Sequence, residues 1–125
     1  MCPVYINRIA SIHAESRNEK PYFSAQEPDY KEMITNANLR RRMSRMIKMG
    51  VACGLECLKD IPSEKVDAII TATGLGCLAD TEKFMNALMD NREQMLNPTA
   101  FIQSTFNTVG AQLALLLKIH AYNVT

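Results

Sequence analysis

Along the middle of the chain, apolar residues recur at helical spacing. Leu39, Met43, Met46, Ile47, Gly50, Val51, Gly54, Leu55 and Leu58 fall on one stripe, which predicts a helix. Asn38 is placed to cap it, and Pro62 stands just past its end. Residues 4–12 are rich in β-branched and aromatic side chains and predict a first strand. Residues 66–72 are nearly all apolar, the pattern of a short strand covered on both faces. Phe84 with Leu88 and Met85 with Met89 are spaced four apart and predict a helix over 80–89. Ser104 or Thr105 is placed to cap a last helix reaching about Ile119, apolar on most sides and so expected to be buried. Residues 122–125 read as the opening of another strand.

Polar stretches separate these elements. Residues 14–37 hold Pro21 and Pro28 and predict an irregular excursion, with one short helical turn near Tyr30 to Ile34. Residues 91–94 and the pair Asn97-Pro98 predict a loop. The order strand, helix, strand, helix, helix, strand is an α/β alternation, and it predicts a mainly parallel sheet packed with helices.

Composition narrows the class. A chain of 125 residues, 47% of them hydrophobic, can bury the core of one domain. Its 14 basic and 13 acidic residues leave a net charge of +1, which gives no general attraction to nucleic acid or an anionic membrane. No apolar run is long enough for a bilayer, and residues 1–8 do not have the build of a signal peptide. The four cysteines show no disulfide spacing, so the expected setting is a reducing cytoplasm.

Several patterns carry possible chemistry. Gly74-Leu75-Gly76-Cys77-Leu78-Ala79 fits the glycine fingerprint of a dinucleotide site. That fingerprint needs an acidic residue at the end of a second strand about 20 residues on, and here that distance reaches Glu93 in a polar loop. A tight turn suits the segment better. Arg40, Arg41, Arg42, Arg45 and Lys48 form a basic patch opposite the apolar stripe, the pattern of a solvated helix face. Cys53 and Cys57 lie four apart on one helix, but zinc takes about four ligands, and neither a Cys-x-x-Cys motif nor a nearby histidine accompanies them. His13 and His120 stand alone in sequence. The thiols are therefore expected to be structural, with no metal site and no catalytic residue in the chain.

Three blocks carry a family resemblance. Leu39 to Leu55 is similar to the basic, Met-containing segment and helix of β-ketoacyl synthases, the thiolase-fold condensing enzymes. Ile69-Ile70-Thr71-Ala72-Thr73-Gly74-Leu75-Gly76, on through Phe84-Met85, resembles that family's strand, Gly-x-Gly turn and following helix. Pro98 to Ala114 resembles its Pro-Phe-x-x-Pro-Ser-x-x-x-Asn segment, with Asn107 followed by small residues and a buried helix.

The resemblance implies that residues 1–125 are the N-terminal part of such a domain, in a partial thiolase-like fold. It implies a Claisen condensation of acyl and malonyl thioesters in fatty-acid or polyketide-type biosynthesis. Acyl carrier protein thioesters are the implied partners, within a homodimer or a heterodimer with a related subunit, and no cofactor is implied. By family spacing the nucleophilic cysteine falls roughly five residues past Thr125, so this chain alone is expected to be inactive. Gly74 and Leu75 match positions beside the acyl channel, and Ala100 stands where the family keeps a bulky gate. Residues 4–12 lack the glycines of the family's first turn, and Ala121-Tyr122 replaces its Gly-Pro. These departures also suit a non-catalytic, chain-length-factor-like partner subunit.

Overall fold

The computed structural model describes residues 3–14 and 25–125. Asp29 opens the first helix, α1 (Tyr30–Met33), its carboxylate accepting from the Lys31 N–H at 2.8 Å. This matches the short turn expected there, while residues 15–24 of the polar excursion lie outside the described residues. Helix α2 (Ala37–Arg42) follows, capped by Asn36, whose side chain accepts from the N–H groups of Asn38 and Leu39.

The single helix expected from Asn38 onward is in fact two. The backbone turns extended at Met43 and Ser44, and α3 (Arg45–Cys57) begins afresh. Serine favours a helix boundary over an interior, and the break still sends Met43 into the core. Val51 and Ala52 of α3 are wholly buried, as is Ile47. Gly50 and Gly54 face helix α6 (Thr108–Leu117) at a range no side chain would allow. A Cβ on Gly50 would stand 2.7 Å from Val109, and one on Gly54 would stand 2.4 Å from Leu113.

Strand β1 (Ala68–Ile70) is only three residues long and follows a 3-10 turn at Ser63–Lys65. Helices α4 (Leu78–Asp90) and α5 (Pro98–Ser104) come next and pack on each other, with the Phe84 and Phe101 rings 5.6 Å apart. Asn97 caps α5 and Pro98 occupies its first turn, where a missing N–H costs nothing. Asn107, not Ser104 or Thr105, precedes α6. The helix ends at Lys118, in the left-handed region, which turns Ile119 into the core. Strand β2 (Tyr122–Val124) then pairs in parallel with β1, Ala68 opposite Tyr122 and Ile70 opposite Val124.

The mainly parallel, thiolase-like sheet expected from the sequence is not what forms. Helix takes 50% of the described residues and strand 7%, with one two-stranded sheet among them. Two physical reasons account for this. Residues 4–12 form no strand, since Arg8 binds them to the end of α3 rather than to a sheet. The apolar run 66–72 spends its ends on the 3-10 turn and on the Thr71–Gly76 bend, and three residues are left for pairing. Helices α3 and α6, with Ile34 and Ile119, supply most of the core instead. Leu115 is 70% exposed, so α6 is buried on one face only. Among the described residues no single helix is long and apolar enough to cross a membrane; α5 and α6 reach that length only together, across a 110° bend.

Candidate functional site

Because β1 and β2 run in the same direction, the residues that follow them meet at one edge of the sheet. Thr71 joins the two ends. Its N–H donates to the Val124 carbonyl at 2.9 Å, and its hydroxyl meets that of Thr125. The chain then bends through Gly74, Leu75 and Gly76 into α4. Gly76 has φ +59°, a conformation that L side chains resist, and its N–H donates to the Thr73 hydroxyl at 2.9 Å. Thr81 fastens α4 to α5 by donating to the Ser104 carbonyl at 3.0 Å.

Around this bend lies an open cleft of about 740 Å³, lined by residues 71–77 with Thr81, Ser104, Phe106 and Thr125. Gly74 and Leu75 both line it. Leu75 is 76% exposed, and a Cβ on Gly74 would meet nothing within 4 Å. Ala100 is half-buried on α5 and is not among the lining residues, so the structure brings together two of the three positions singled out in the sequence. A groove of about 430 Å³ adjoins the cleft and runs along β1 between α3 and α6. Neither lining contains an acidic or basic side chain. Such walls suit an uncharged, apolar chain.

The thiols fit that description. Cys77 sits at the head of α4, 4% exposed, where burial and then the nearby Asp80 push its thiol up. Burial likewise pushes up Cys53. A nucleophilic thiol needs the opposite shift. Among the described residues no group of three or more His, Cys, Asp or Glu side chains could hold a metal ion. The glycine turn offers little to a phosphate, since Thr73 already takes the Gly76 amide. In the basic patch, Arg45 pairs with Glu27 at 2.5 Å, Arg40 donates to the Ile34 carbonyl, and Arg41 donates to Asn38. Thr71, Thr73, Phe106 and Thr125 escaped sequence reasoning as lining residues. They come from separate segments, and no periodicity marks them.

Against this geometry, the profile of the β-ketoacyl synthase N-terminal domain matches residues 13–123. The chain belongs to that family. The match takes in α1 through α6 and reaches into β2, including the Gly74–Gly76 bend and every helix that borders the cleft. No curated protein matches the chain. As a β-ketoacyl synthase N-terminal domain, the chain puts its glycine bend and both strand ends on one accessible surface.

Proposed function

We propose that the cleft at the strand ends is one wall of an acyl channel, and that the chain serves a cytoplasmic condensing enzyme. The observation that carries this reading is the position of Gly74 and Leu75. They line an uncharged cleft in a chain whose family match spans them. In open α/β arrangements ligands gather at the carboxyl ends of parallel strands, and both strand ends open here.

The chemistry of this proposal needs groups outside the chain. A cysteine thiolate takes the acyl group from a carrier-protein thioester and releases the carrier thiol. Loss of CO₂ from a malonyl thioester leaves a carbanion, which attacks the acyl carbonyl and frees the cysteine again. The part assigned to this chain is to hold the acyl tail and exclude water from it. An acyl carrier protein delivers the thioester, and a second synthase-type subunit completes the dimer. A non-catalytic subunit that sets chain length is the second reading, favoured by Ala100 where an aromatic gate would stand.

Gly74→Leu tests the site directly, because the new side chain enters open space without a clash. Titration with a long-chain acyl pantetheine thioester should show binding to the native chain. In the variant it should be about tenfold weaker, as expected when buried methylenes lose their place, with an unchanged melting temperature. Equal binding by both proteins removes the cleft as an acyl site.

A further inference from the structure

We infer that Cys53 and Cys57 form a two-thiol clamp for monovalent copper, a soft ion that sulfur ligands alone can satisfy. Both residues sit on α3, one turn apart, and both are free, half-buried thiols. A helix sets the Cβ atoms of residues four apart at about 5–6 Å. A disulfide needs about 3.5–4.5 Å between them, so the intact helix keeps these two sulfurs from bonding each other. An ion between them brings two bonds to sulfur, each about 2.3 Å with zinc as the guide, and that spans the gap. The thiols are close enough to interact. Burial pushes the Cys53 thiol up, the Ile12 backbone opposes the shift, and the charge of Cys57 adds to it. Each is also reachable. Cys53 borders a hollow of about 430 Å³ shared with residues 10–12, and Cys57 borders the groove beside β1.

The surroundings select for a soft ion. Met33 of α1 lines the same hollow as Cys53. A thioether is a ligand for soft ions and is not among the usual donors to zinc. The carboxylates bordering the hollow are Glu27 and Glu56. Tyr30 and Arg45 already engage Glu27. Among the described residues, Glu56 does not join the two thiols in a three-ligand group. A hard or four-coordinate ion therefore lacks a ligand set here, whereas an ion content with sulfur has one. On binding, two S–H bonds break, two S–Cu bonds form, both protons pass to solvent, and copper stays monovalent. Cys53, Cys57 and Met33 all lie outside the lining of the acyl cleft. Failure of this proposal and failure of that reading are thus separate results.

The test is an anaerobic titration of the full chain with Cu(I), supplied as its acetonitrile complex against a chromogenic Cu(I) chelator. One tightly held ion per chain is expected, with X-ray absorption showing sulfur neighbours only. Cys53→Ala and Cys57→Ala should each weaken binding by about tenfold or more, at least the cost of losing a metal's supporting contacts. Met33→Leu should weaken it less. The double variant Cys2→Ala with Cys77→Ala retains only these two thiols and should bind as the native chain does. Its copper spectrum therefore reads the pair even where a single variant fails to fold. Copper held through nitrogen or oxygen overturns the proposal. So does loss of binding in the double variant, or native affinity in either Cys53→Ala or Cys57→Ala.

Discussion

Helices α3 and α4 have the same length, 13 residues, and each carries an apolar stripe, yet they occupy different environments. Ile47, Val51 and Ala52 of α3 are removed from water entirely, whereas α4 has no buried residue, and Met89 is 73% exposed. The difference lies in what each helix meets. Gly50 and Gly54 let α6 close on α3 at backbone range, so that Val109 and Leu113 fill the space a side chain would have taken. Helix α4 packs chiefly on the short α5, through the Phe84–Phe101 pair and the Thr81 hydroxyl. An amphipathic pattern specifies which face seeks cover; the neighbour's shape decides whether it is covered.

The largest effect should come from truncation in the first of these regions. Ile47→Ala removes a fully buried side chain and should cost about 2–5 kcal/mol, while Met89→Ala on α4 should stay within about 0.5 kcal/mol. Urea unfolding of the two variants measures both, and equal losses would break the contrast.

Ala100 tests the boundary between the regions. On half-buried α5, Ala100→Phe should lower stability by about 1–3 kcal/mol through overpacking if its surroundings are closed. If the position faces an acyl channel, stability should hold and the bound acyl chains should become shorter. Melting curves and acyl-length profiles of the two proteins tell these apart.

The smallest effect concerns the surface pin of α3. Tyr30, donating at 2.6 Å, and then Arg45 hold the Glu27 carboxyl below its ordinary value of 4.5. A depressed acid stabilises the fold above its unfolded value and loses that contribution as pH falls through the folded one. Stability should therefore drop slightly more below pH 4.5 in the native chain than in Glu27→Gln. Parallel pH profiles for the two proteins would show that the pin contributes nothing to the fold.

Much of α3 was legible because nine stripe positions repeat one period, and β2 because Tyr122 to Val124 follows a clear helix end. The break at Ser44 was not, since the stripe runs through it without a change of phase. Helix α5 had a local signal in Asn97-Pro98, a cap followed by proline at the first helical position, which also reads as a loop. The breadth of the sheet was misjudged because residues 4–12 have strand composition, and composition cannot register a competing bond such as Arg8 to the carbonyls ending α3. At the candidate site the glycine bend stood out as a motif. Thr71, Phe106 and Thr125 did not, because only the folded chain assembles them.

The pairing of β1 with β2 sets when that assembly can happen. Thr71 and Thr125 stand 54 residues apart in the chain, and the ladder that unites their neighbourhoods is three residues long. Closing so long a loop costs entropy before the few bonds of the ladder return anything. The contact of α3 with α6 closes a loop at least as long, from Gly54 to Leu113, but repays it with buried apolar surface, so the short ladder depends on that contact. The cleft is accordingly expected to open under denaturant no later than the glycine-tight contact of α3 with α6 is lost. In this chain the candidate site is a property of the completed fold, with no local segment able to hold it alone.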